Sequence, residues 1–129
     1  MKPIDTVLVI EDEEIGRYLA VSVLKKMGIG REILQATNGL EALKVLREAC
    51  KYNKCPDLIL LDIKMPVMDG FEFLIELSIA SDIDINDSKI ILLTSSASPR
   101  DVERSKLYPI SSYIYKPLTK EKLQEILEA

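Results

Sequence analysis

Pro56-Asp57-Leu58-Ile59-Leu60-Leu61-Asp62-Ile63-Lys64-Met65-Pro66-Val67-Met68-Asp69-Gly70 is the stretch on which the reading of the fold turns. Leu58 to Leu61 are apolar without interruption, bounded by Pro-Asp before and a turn after. Such a run predicts a short strand buried on both faces. It ends on a carboxylate, Asp62. Met65-Pro66 and Asp69-Gly70 mark a tight loop, and Phe71 opens a segment of helical period with Leu74, Ile75 and Leu77 on its inner side. An acid at the carboxyl end of a buried parallel strand stands where open α/β sheets place their ligands. Read alone, Asp62 serves equally well as a polar residue that closes a strand and caps a loop.

Working outward, Asp5 to Ile10 is β-branched and apolar and predicts the first strand. It breaks into Glu11-Asp12-Glu13-Glu14. Ile15, Leu19, Val23 and Met27 then recur at helical spacing, joined by Val21 and Leu24, and the helix stops at Gly28. Glu13 and Glu14 suit a helix N-terminus; Glu11 and Asp12, which close the strand, need another explanation. Glu32 to Ala36 is a second strand and Thr37-Asn38-Gly39 a turn. Leu40, Leu43, Val45 and Leu46 outline a second helix to about Lys51, and Tyr52 to Pro56 is a polar connection. Beyond the central stretch, Ser81 to Ser88 reads as a loop and Lys89 to Thr94 as a fourth apolar strand. Pro99 starts a short charged helix, Arg100 to Leu107. Ser111 to Tyr115 is the fifth strand, and Thr119 caps a last helix with Leu123, Ile126 and Leu127 inward. Strand and helix alternate throughout, which predicts a parallel sheet with helices on both faces. The expected architecture is α/β, a flavodoxin-like doubly wound five-stranded sheet of order 2-1-3-4-5 with five helices.

Composition narrows the function. With 129 residues the chain is expected to form one domain, residues 1–129. The formal charge of −4 argues against a nucleic-acid surface, which needs a clustered basic face. The apolar runs are too short to span a membrane, and Met1-Lys2-Pro3 leads into a strand with no apolar leader, so a cytoplasmic location is expected. There is no histidine, which excludes Ser-His-Asp and Cys-His catalysis and leaves Cys50 and Cys55 short of a zinc site. In a reducing compartment the two cysteines are expected to be free thiols.

The strand ends collect a constellation: Glu11 and Asp12 after the first, Asp62 on the third, Thr94 on the fourth, Lys116 after the fifth. In a 2-1-3-4-5 sheet the first and third strands are neighbours, so three carboxylates converge. Two bare carboxylates about 4 Å apart repel by roughly 4 kcal/mol at an effective dielectric near 20. Such a group takes up protons or binds a cation. Oxygen donors alone favour a hard divalent ion, Mg²⁺ before Ca²⁺. A hydroxyl from Thr94 and an ammonium from Lys116 complete a site for a phosphoryl group. Singly, Thr94 is a strand-end hydroxyl and Lys116 a surface lysine beside a proline turn; the weight lies in the combination.

Glu11-Asp12, Asp62 with Met65-Pro66 and Asp69-Gly70, Thr94-Ser95 and Lys116-Pro117, taken in that order, resemble the receiver domain of two-component response regulators, from about Thr6 to Leu127. The resemblance implies that Asp62 is the phosphoacceptor of a phosphorelay. It implies that Glu11, Asp12, Asp62 and the backbone carbonyl of Lys64 hold Mg²⁺. Lys116 would pair with phosphoryl oxygens and Thr94 hydrogen-bond one of them. Tyr113 matches the switch aromatic, and the Lys116–Pro117 bond is expected to be cis. Glu11 stands where Asp is more frequent. Lys64 and Ser96 are expected to tune hydrolysis of the phosphorylated form.

On this reading the chain is no enzyme in the usual sense but a phosphoacceptor that catalyses its own phosphotransfer and autodephosphorylation. A sensor histidine kinase or phosphotransfer protein would donate. The surface of the fourth helix, fifth strand and fifth helix, about Arg100 to Ala129, would signal to a downstream protein or to a second copy. The alternative is a receiver-like adaptor that works without phosphorylation, against which intact Asp62, Thr94 and Lys116 speak. An aspartyl phosphatase would need a second acid where Lys64 stands, and Glu11 to Glu14 would repel a flavin phosphate.

Overall fold

The computed structural model describes residues 3–95 and 98–128. Five strands and five helices alternate: β1 Thr6–Ile10, α1 Glu14–Met27, β2 Glu32–Ala36, α2 Gly39–Lys51, β3 Leu58–Asp62, α3 Gly70–Ile79, β4 Lys89–Thr94, α4 Pro99–Ser105, β5 Ser112–Tyr115 and α5 Lys120–Glu128. All strand pairs are parallel and the order is β2-β1-β3-β4-β5, a doubly wound α/β sheet. The register sets Ile10 beside Leu61 and Asp62 beside Leu93, so the carboxyl ends of β1, β3 and β4 are level.

The central strands bury both faces, which is why they read as unbroken apolar runs. Leu8, Ile10, Ile59, Leu61, Ile90 and Leu92 pack with α2 and α3 on one side. Val7, Val9, Leu58, Leu60, Ile91 and Leu93 pack with α1 and α5 on the other. Asp57 ties the start of β3 to β1, its Oδ2 accepting from the amides of Asp5 at 2.9 Å and Thr6 at 3.0 Å. Helix starts are capped as polar residues before apolar periods predict: Asn38 Oδ1 accepts from Glu41 N, Thr119 Oγ1 from Lys122 N, and Asp69 with Glu72 closes a reciprocal capping box.

Three expectations are corrected. In α1 the buried residues are Ala20 and Leu24, while Ile15 is 73% and Leu19 49% exposed. The helix meets the sheet through Ala20 and Leu24, with Val23 and Met27 partly buried against the same core, and the large side chains at 15 and 19 fall outside that contact. The same holds more mildly for Leu40 and Ile75, both exposed where burial was expected. Cys50 and Cys55 are a disulfide and not free thiols. Beyond Lys51 the chain reverses through Asn53, whose φ of 60° is left-handed, and returns Cys55 to within 4.3 Å of Cys50, Cα to Cα. No described helix is long and apolar enough to cross a membrane.

Candidate functional site

The acids gather where two strands end. Glu11 extends β1 by donating its amide to Ala36 O at 3.0 Å, which directs its side chain under control of the sheet. Asp62 is the last residue of β3 and only 6% exposed. Carboxylate oxygens of Glu11, Asp12 and Asp62 lie within 4.8 Å of one another. Thr94 ends β4, buried, and its side chain is hydrogen-bonded with that of Tyr113 on β5. Lys116 follows β5 with its amide on Thr94 O at 2.7 Å, and the Lys116–Pro117 bond is cis. The lysine reaches back across the sheet end: Nζ donates to Glu11 Oε1 at 2.6 Å and lies 3.4 Å from Asp62 Oδ1.

Charge is unevenly shared in this cluster. Burial, then Glu11 as hydrogen-bond partner and neighbouring charge, push the Asp62 carboxyl up to about 7, against the pull of Lys116. Burial also raises Glu11, but its bonds to Asp62 and Lys116 outweigh that and hold it below the usual range. Asp12 is raised by burial and by Glu11. Burial would lower Lys116, yet its bond to Glu11 and the charge of Asp62 hold the ammonium above its ordinary value. Glu11 Oε2 is buried with no hydrogen-bond partner among the described residues. A hard cation drawing on these oxygens would relieve both the repulsion and the orphaned acceptor, so the donor set fits Mg²⁺.

The loop after β3 is shaped for close approach. Gly70 donates its amide to Ile63 O at 2.8 Å, and a Cβ there would meet Asp62 O at 2.5 Å and Ile63 Cα at 2.9 Å. Val67 has a φ of 68°, a strained conformation for a β-branched residue, and the following Met68 O accepts from Gly39 N at 2.9 Å. Lys64 is exposed beside the loop. Ser96 lies outside the described residues.

Sequence reasoning brought Glu11, Asp12, Asp62, Thr94 and Lys116 to one end of the sheet, and there they are; Tyr113, named by the resemblance, lies within β5 opposite Leu92 with its side chain bonded to that of Thr94. It missed two supports on α1. Arg17 Nη1 donates to the carbonyls of Glu11 at 2.9 Å and Asp12 at 3.1 Å, fixing the main chain of both acids. Gly16 packs against the Glu11 side chain. A glycine in the first turn of a helix was the one visible signal. A concavity of about 800 Å³ lined by Asp5, Arg31, Asn53, Asp57 and Asp82 opens at the opposite end of the sheet, away from these groups. Convergent charge, and not volume, marks the site.

Comparison with known proteins agrees. The sequence model of the response regulator receiver domain matches residues 7–128. The chain is 36% identical over 121 residues to the two-component response regulator ORR41 of Oryza sativa subsp. japonica, covering 94% of this chain and 90% of that one. It is 35% identical over 122 residues to the sensor histidine kinase CheAY of Helicobacter pylori, where the match takes in 95% of this chain but 14% of the larger protein. A crystal structure of a two-component response regulator from Cytophaga hutchinsonii superposes with a TM-score of 0.89 at 30% identity, over 98% of this chain and 96% of the other. With the matching sheet order and the acids at its carboxyl edge, these likenesses establish that the chain belongs to the response regulator receiver domain family of two-component systems.

Proposed function

We propose that the chain is a single receiver domain that accepts a phosphoryl group on Asp62 from a phosphohistidine of a sensor histidine kinase or phosphotransfer protein. The observation that carries this reading is the placement of a buried Asp62 between two acids and the Lys116 ammonium. An Asp62 carboxylate oxygen attacks phosphorus, the phosphorus–nitrogen bond of the donor breaks, and the imidazole leaves with the bonding pair. Water later attacks the acyl phosphate, releasing inorganic phosphate and restoring the carboxylate. A carboxylate is a weak nucleophile, so the site works by offsetting charge.

Glu11, Asp12, Asp62 and the backbone carbonyl of Lys64 would hold Mg²⁺. Bound there, the ion would supply positive charge to offset that of the Asp62 carboxylate and the incoming phosphoryl group. Lys116, now shared by Glu11 and Asp62, turns its ammonium to a phosphoryl oxygen once Asp62 carries one. Thr94 exchanges its partner Tyr113 for another phosphoryl oxygen, which frees Tyr113 to turn inward. That movement alters the face of α4, β5 and α5, where Leu107 and Tyr115 are exposed, and the altered face binds a downstream protein or a second copy. Lys64, with Ser96, sets the hydrolysis rate by contacting the phosphoryl group or the attacking water; an unchanged autodephosphorylation rate in Lys64→Ala removes that role.

The test is exposure of purified protein to Mg²⁺ and beryllofluoride, followed by amide shifts near Asp62, with Asp62→Asn as control. A Mg²⁺-dependent response in the wild type alone supports the reading. A folded wild type that does not respond favours the phosphorylation-independent adaptor.

A further inference from the structure

Gly16 sits in the first turn of α1, where glycine weakens a helix relative to alanine. Its surroundings account for the choice. A Cβ at this position would stand 2.8 Å from both Cγ and Cδ of Glu11 and closer still to Oε1. That Oε1 is the atom bonded to Lys116 Nζ at 2.6 Å. The Glu11 side chain is 4% exposed, so it cannot swing into solvent while keeping this bond. Arg17, the next residue, holds the carbonyls of Glu11 and Asp12, so the main chain cannot retreat either.

Building on the cation-site reading above, we infer that Gly16 is a positioning residue for Glu11. The missing side chain is the space in which a glutamate, one methylene longer than aspartate, folds back to meet Lys116 while its carboxylate stays with Asp12 and Asp62. A methyl group at 16 displaces the carboxylate and loosens the Lys116 contact, and the cost falls on the site more than on the helix. An aspartate at 11 is too short to collide, so the effect of a Cβ at 16 depends on which acid stands at 11.

The experiment is a Mg²⁺ titration read from backbone amide shifts in the wild type, Gly16→Ala, Glu11→Asp and the double variant. Mg²⁺ affinity is expected to fall by roughly tenfold or more in Gly16→Ala, the scale of losing a group that orients a metal ligand. In the Glu11→Asp background the same change is expected to alter affinity by less than about twofold, since the coupled pair is already broken. Equal affinity of wild type and Gly16→Ala overturns the inference, as does the same loss in both backgrounds. Should Gly16→Ala fail to fold while the double variant folds and binds Mg²⁺, the coupling is upheld; failure of both to fold overturns it. Absence of any Mg²⁺ response in the wild type defeats the parent reading, and this inference with it, a result distinct from the others.

Discussion

Asp62 keeps its proton to about pH 7 in the folded, metal-free protein, whereas an unfolded aspartate releases it near 3.9. Between those values the folded state holds more protons than the unfolded one, so the contribution of this group to stability falls as pH rises through the window. Removing the charge removes the penalty. In EDTA, Asp62→Asn is expected to exceed the wild type by on the order of 4 kcal/mol at pH 8, with the gap closing towards pH 4. Urea denaturation at the two pH values checks it, and a gap independent of pH contradicts it. Val67 offers a second test at the same scale. It is 74% exposed with a φ of 68°, so it gives up little packing and gains backbone comfort on replacement. Val67→Asn is expected to raise stability by about 1 kcal/mol, because asparagine tolerates the left-handed region; a lowered melting temperature counts against it. Asp62, Thr94 and Lys116 were legible in the sequence because each falls where an apolar run ends. Val67 was not, since its backbone angle follows from how the loop is pinned at Met68 and Gly70.

Among the elements, the loop from β3 into α3 carries the site. Gly70 brings the start of α3 against the end of β3, and the atoms a Cβ would meet are backbone, which cannot step aside. Gly70→Ala is expected to cost about 2 kcal/mol or more, as overpacking against fixed atoms does. Thermal denaturation reads the loss, and a melting temperature equal to the wild type would contradict the packing described. The strands were plain from sequence because burial on both faces leaves unbroken apolar runs. The helices were plain in extent but not in phase. In α1 the expected face is occupied at Leu24, with Val23 and Met27 packed partly buried beside it, but Ile15 and Leu19 are exposed and Ala20 is buried in their place. Side-chain size alone misplaces the N-terminal part of that face, where the small Ala20 is buried and the larger Ile15 and Leu19 are not. Ile15, Tyr18 and Leu19 are left as an exposed apolar edge beside the acids.

At the scale of the whole molecule, chemistry and bracing sit at opposite ends of the sheet. The acids close the carboxyl end, while the Cys50–Cys55 disulfide joins the last turn of α2 to the chain's entry into β3. Sequence separation of 5 makes the closed loop small, so reduction is expected to remove about 2 kcal/mol of stability by chain entropy. Mg²⁺ affinity is expected to be unaffected; a Mg²⁺ response lost on reduction would show the two ends to be coupled. Sheet order was readable from alternation and strand count alone. The disulfide was not, because it depends on the left-handed turn at Asn53 that returns the chain on itself.

The central claim is that Asp62 accepts the phosphoryl group, and mass spectrometry tests it most directly. Purified protein would be incubated with Mg²⁺ and a small acyl phosphate donor, then trapped with borohydride and digested. The account expects one added phosphoryl group in the intact wild type, none in Asp62→Asn, and the reduced residue at position 62. A modification at another residue, or none in folded wild-type protein under the same conditions, would contradict it.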